Sequence, residues 1–137
     1  MASRVEILII EDDEDDFILT RELILDIDVD AYAIEWASTF EAGLARLATR
    51  TFDVCLVDFR LGARTGVELL REARGRGHEL PVIFLTGQRE HEFDVEAMRA
   101  GASDYLVKGE LMPIQLERSI RYAIERARAL AELRELN

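Results

Sequence analysis

Several short apolar runs in this 137-residue chain end in residues suited to holding a cation or a phosphate. Val5 to Ile10 leads into Glu11-Asp12-Asp13, Asp53 to Val57 into Asp58, Val82 to Leu85 into Thr86, and Tyr105 to Val107 into Lys108. If the runs are neighbouring strands about 4.8 Å apart, these ends meet on one rim although they are distant in sequence. Carboxylates of Glu11, Asp12 and Asp58 crowded together repel and raise each other's pKa unless a cation neutralises them. Oxygen ligands select Mg²⁺, Mn²⁺ or Ca²⁺ over zinc, and few protein ligands with room for water and phosphate oxygen favour Mg²⁺. Beside such an ion Asp58 is a candidate nucleophile, since carboxylates carry phosphoryl groups as aspartyl phosphates.

Each residue also has a plainer reading. Acid runs are commonly solvated, aspartate before a loop forms turns, and threonine after a strand caps helices. Lys108 is less easily dismissed, because it is the one lysine among 17 basic residues, the rest being arginine. A single ammonium in a chain that otherwise uses guanidinium suits a site needing a compact point charge on a flexible stem, such as a phosphate beside a carboxylate.

The elements that must position these groups alternate as βα units. Helical patterns follow the strands at Asp13 to Asp26, after a Ser38-Thr39 cap, at Gly66 to Arg74, at about Glu90 to Arg99, and from Met112-Pro113 onward, with Tyr32 to Ala37 as a weaker, alternating edge strand. Five such units predict an α/β fold, a doubly wound parallel sheet of flavodoxin-like (βα)5 type in the order 2-1-3-4-5. Ligands of that topology bind at the carboxyl ends of the strands, by the switch point between the first and third. The last helix is expected to run on to about Leu136. Leu116, Ile120, Ala123, Ala127 and Leu130 form a heptad-like seam on it, meeting Arg134. The division expected is therefore a domain over residues 1–125 and a helical extension over 126–137, serving as a dimerising or connector helix or simply as a solvated end.

Composition bounds the alternatives. A net charge of −11 and a pI near 4.6 oppose general binding to nucleic acid or anionic lipid. With 49% apolar residues the chain can bury one core, and it carries neither a membrane-length apolar run nor the pattern of a signal peptide, so the cytoplasm is the expected location. The lone Cys55 sits in an apolar run and reads as a small core residue. His78 and His91 lie in polar stretches and offer no phosphate carrier.

Taken in order, Ile7 to Asp13, Asp58, the Leu85-Thr86-Gly87 turn and Gly101-Ala102-Ser103-Asp104-Tyr105-Leu106-Val107-Lys108 resemble the receiver domains of two-component response regulators over about residues 4 to 125. The resemblance implies Mg²⁺ held by Glu11, through water, by Asp12, by Asp58 and by the Arg60 carbonyl. It implies Asp58 as phosphoacceptor, Thr86 and Lys108 on the phosphoryl oxygens, Tyr105 as a rotating aromatic coupled to Thr86, and Arg60 and Gln88 tuning hydrolysis. A histidine kinase or phosphotransfer protein would be the donor, and helix 4, strand 5 and helix 5 the surface that switches or forms a homodimer. The family usually follows its lysine with a cis proline. Here Gly109 stands instead, so a trans bond, a looser loop and a less firmly placed Lys108 are expected.

Two other functions weigh against this one. A phosphohydrolase of haloacid dehalogenase type needs an acid two positions after its nucleophile, where this chain has Arg60. A receiver-like interaction module working without phosphorylation draws its support from Gly109. A flavin site is disfavoured because the first strand ends in carboxylates rather than a hydroxyl- and glycine-rich loop. DNA binding within the chain is disfavoured as well, the five units leaving no helix-turn-helix.

Overall fold

The structure, a computed structural model, describes residues 4–87 and 91–136. Its five strands are β1 (Val5–Ile10), β2 (Tyr32–Ala37), β3 (Val54–Asp58), β4 (Val82–Thr86) and β5 (Asp104–Val107). They alternate with α1 (Glu14–Ile27), α2 (Phe40–Thr49), α3 (Gly66–Gly75), α4 (His91–Arg99) and α5 (Pro113–Glu135). The sheet is parallel throughout, in the spatial order β2-β1-β3-β4-β5, as the βα rhythm predicts. A two-residue-per-strand antiparallel hairpin, Arg60–Leu61 with Arg64–Thr65, stands between β3 and α3.

The strands are continuous apolar runs because both of their faces are covered. Leu8, Ile10, Cys55, Val57 and Phe84 pack on the α2 and α3 side with Leu44, Leu69 and Leu70. Ile7, Ile9, Val54, Leu56, Ile83 and Leu85 pack on the α1 and α5 side with Ile24, Leu116, Ile120 and Ile124. Cys55 is fully buried, and burial pushes its thiol pKa up, so it is the inert core residue its surroundings suggested.

Helix starts are set by side-chain caps that satisfy first-turn amides. Asp13, Thr39 and Thr65 accept from the backbone N–H of Asp16, Ala42 and Glu68 at 3.1, 3.0 and 3.2 Å. Asp13 is therefore the cap of α1 rather than its first residue. Gly101 stops α4 with φ of 102°, a conformation open to glycine.

Gly66 answers a closer constraint. A Cβ there would lie 2.8 Å from both the Asp58 carbonyl oxygen and the Phe84 Cε1, and neither atom can swing away. Gly66→Ala is expected to cost about 2 kcal/mol through overpacking directly behind Asp58, read as a lower denaturant midpoint at unchanged slope.

The helical seam of α5 has another use than the heptad pattern suggested. Leu116, Ile120 and Ala123 are buried against the sheet, so the first three seam positions are core contacts and are unavailable for dimerisation. Beyond Ile124 the helix runs past the end of α3, where Arg134 pairs with Glu79 at 2.6 Å, while Leu130 and Leu133 are exposed.

Candidate functional site

The carboxyl ends of β1, β3 and β5 bring the expected groups together. Glu11, Asp12 and Asp58 each offer a carboxylate oxygen, all within 4.8 Å of one another. Glu11 is buried, Asp58 half-buried and Asp12 exposed, so the cluster opens from the protein toward solvent. Lys108 reaches in from the end of β5. Its ammonium lies 2.5 Å from Glu11 Oε1, 2.9 Å from Asp16 Oδ2 and 3.5 Å from Asp58 Oδ1. Thr86 ends β4, buried, in register with Val107, the residue before Lys108.

Backbone amides orient the acids. The Asp13 N–H donates to Glu11 Oε2 at 3.2 Å, the Gly62 N–H to Asp12 Oδ2 at 3.1 Å, and the Arg60 N–H to Asp58 Oδ1 at 3.4 Å. Gly62 belongs to the hairpin after β3, with φ of 64°, which explains why a glycine-centred turn follows Asp58. The Arg60 main chain thus lies against Asp58 while its side chain is exposed.

Electrostatics follow from the crowding. Burial, then a hydrogen bond with Asp58, pushes the Glu11 carboxyl up to about 8 against the opposing pull of Lys108. Burial also raises Asp58, offset in part by Glu11, Lys108 and the Arg60 amide. Burial thus holds both carboxyls above their ordinary values, and they titrate as a pair. Burial alone would lower the Lys108 ammonium, but hydrogen bonds to Glu11 and Asp16 outweigh it and hold the group charged, above its ordinary value.

This donor set fits a hard divalent cation. Its oxygens are all carboxylate and lie within 4.8 Å of one another, a crowding of like charge that a cation would relieve.

One expectation needs correcting. Among the described residues the peptide bonds are trans, as expected at Gly109, yet Lys108 is not loosely placed: residues 108–110 form a 3-10 turn and the ammonium is gripped by acids from β1 and α1. Tyr105 stands opposite Phe84 in the sheet register and edge-on to Phe59 at 6.0 Å, with its hydroxyl shielded from solvent. Gln88 lies outside the described residues.

Two site residues escaped the sequence reading. Asp16 was one acid among several in a helix start. Trp36, on edge strand β2, donates its indole N–H to the Glu11 carbonyl at 2.8 Å and stacks on Phe17 at 4.5 Å, fixing the main chain where the acid pair begins. Trp36→Phe keeps the stack and removes the donor. It is expected to cost about 1 kcal/mol of stability by chemical denaturation.

The Response regulator receiver domain family model matches residues 7–121. The chain belongs to this family. It is 32% identical over 108 residues to the transcriptional regulatory protein RprY of Bacteroides fragilis, covering 79% of this chain and 44% of that protein. It is 30% identical over 104 residues to the two-component response regulator PhoP of Pseudomonas aeruginosa, covering 76% and 44%. Among solved structures, a CheY-like receiver domain protein from Methanospirillum hungatei superposes with a TM-score of 0.79 at 28% identity, over 93% of this chain and 98% of that one. The receiver domain thus spans less than half the length of those two curated relatives.

Proposed function

We propose that this receiver domain accepts a phosphoryl group on the Asp58 carboxylate from a phosphohistidine on a histidine kinase or phosphotransfer protein. The observation that carries the reading is the placement of Asp58 between two further acids within 4.8 Å and the ammonium of Lys108 at 3.5 Å.

Glu11, Asp12 and Asp58, with the Arg60 carbonyl, would hold Mg²⁺, which when bound supplies positive charge against the transferring phosphoryl oxygens. Asp58 attacks phosphorus in line, forming the acyl phosphate bond as the bond to the donor nitrogen breaks. Lys108 and the Thr86 hydroxyl would donate to the new oxygens. Arg60 and Gln88, each two positions beyond a site residue in sequence, would tune the return to the free carboxylate. The domain is an acceptor that loses its phosphoryl group by self-catalysed hydrolysis, rather than a turnover enzyme.

Output follows from Thr86 moving toward the phosphoryl oxygens and Tyr105 following it, altering the α4-β5-α5 face. Residues 1–125 constitute the switching domain. Residues 126–137 extend α5 as a connector or dimerising helix, a role supported by the exposure of Leu130 and Leu133. Protein partners suit a net charge of −11 better than nucleic acid or anionic lipid at this domain. No described helix is long and apolar enough to cross a membrane, and a cytoplasmic reaction suits a histidine kinase as donor.

Incubation with acetyl phosphate and Mg²⁺, read by intact mass, tests the reading. One added phosphoryl group in the wild type and none in Asp58→Asn is the expected result; an unmodified wild type under saturating donor would leave a phosphorylation-independent interaction module.

A further inference from the structure

Lys108 is held by more than the site acids. Its ammonium has three N–H bonds: one is directed at Glu11 at 2.5 Å, a second at Asp16 Oδ2 at 2.9 Å, while Asp58 at 3.5 Å lies just beyond good hydrogen-bond reach. Asp16 is not a member of the acid cluster that suits a cation. It belongs to the first turn of α1, where its N–H is capped by Asp13 and its carbonyl accepts from the Thr20 hydroxyl at 3.0 Å. That anchorage makes it a fixed post, whereas Glu11 is shared with the carboxylate cluster. The 3-10 turn over residues 108–110 sets the main chain after Lys108 but leaves its ammonium to side-chain partners. Gly109 has open space where a Cβ would stand, and the four-carbon stem of lysine is flexible.

We propose that Asp16 is a positioning residue for phosphoryl transfer, holding the Lys108 ammonium from the α1 side so that its third N–H faces the space beyond Asp58 Oδ1. The inference rests on the phosphoacceptor reading above. It accounts for how the Lys108 ammonium is held at the end of a flexible stem, and it gives α1 a direct tie to the end of β5.

The pair is partly exposed, with Lys108 at 16% and Asp16 at 39% side-chain exposure, so the advantage of preorganisation is moderate. Asp16→Ala is expected to slow adduct formation from acetyl phosphate about fivefold, with Asp16→Glu recovering most of the rate. Mg²⁺ affinity, which does not pass through Asp16, is expected to stay within about twofold. In a Lys108→Met background Asp16→Ala is expected to change nothing further, because the two act as one unit. The Lys108 ¹⁵Nζ resonance, observed without any phosphoryl donor, should be sharp in the wild type and broadened in Asp16→Ala. A wild type that forms no adduct overturns the phosphoacceptor reading and this proposal with it. A wild type that does, with an Asp16→Ala rate and Lys108 resonance unchanged, overturns the positioning role alone.

Discussion

Asp58→Asn is expected to abolish phosphoryl uptake completely and, in the absence of metal, to make the protein more stable. The first effect is chemical: an amide offers no oxygen anion to attack phosphorus. The second follows from the environment of the carboxyl. Asp58 is raised above its ordinary range, mainly by burial, with its side chain 12% exposed, so its ionised form is disfavoured in the fold. Asparagine keeps an oxygen to accept the Arg60 N–H and removes a charge that also pushes Glu11 upward. Glu11 can then ionise and pair fully with Lys108, which retains Asp16 as well. A gain of about 1 kcal/mol, or about 4 °C in Tm, is expected by calorimetry in chelator. Mg²⁺ reverses the order, since the wild type keeps three carboxylates for the ion and the variant two. A variant less stable than the wild type in chelator would mean that the Lys108–Asp58 attraction exceeds the cost of crowding.

Why the sheet was so readable, and parts of the site less so, follows from the range over which each is specified. β1, β3 and β4 are buried on both faces, which forces a continuous apolar run and announces itself in any window of five residues. The strand order comes from handedness and connection rules, not from individual contacts. The acids at the strand ends could be assigned to one rim because a parallel sheet places them there whatever the packing. Asp104 went unread as a strand residue because it is polar; its carboxylate is satisfied by the Ser119 hydroxyl at 2.7 Å, a partner fifteen residues away on α5. Asp16 and Trp36 act through distances set by how α1 and β2 sit on the sheet, which no local pattern reports.

The α5 seam shows the converse error. Steps of three and four residues describe any helix face that meets an apolar surface. Leu116, Ile120 and Ala123 meet the domain's own sheet, and the same spacing in sequence would suit a second helix. Gly109 bears on Lys108 less than its place in the chain suggests: residues 108–110 form a 3-10 turn, and Lys108 is fixed through its side chain by acids roughly a hundred residues earlier.

Mg²⁺ uptake by the metal-free protein should expel a proton near neutral pH and become independent of pH above about 9. Glu11 rises from an ordinary 4.5 to about 8 in the fold, held there first by burial and then by Asp58. Below 8 the neutral form predominates, and a cation binding to the carboxylate must displace the proton, so affinity is expected to climb with pH by up to about tenfold per unit until Glu11 is ionised. The same shift fixes the sign of the stability profile. A carboxyl whose folded pKa exceeds its unfolded value contributes stability fully below pH 4.5 and loses it as pH rises to about 8. In chelator the stability should therefore fall across that window by up to about 1.4 kcal/mol per pH unit from this group. Saturating Mg²⁺ should flatten the fall, because the ion replaces the proton as the partner of the charge. Calorimetric titration in two buffers of different ionisation enthalpy reads the released proton directly, with close to one expected at pH 7 and close to none at pH 9. Equal heats in both buffers at pH 7 would mean that Glu11 is already ionised against Lys108, and that the ammonium, not a proton, neutralises the pocket before the metal arrives.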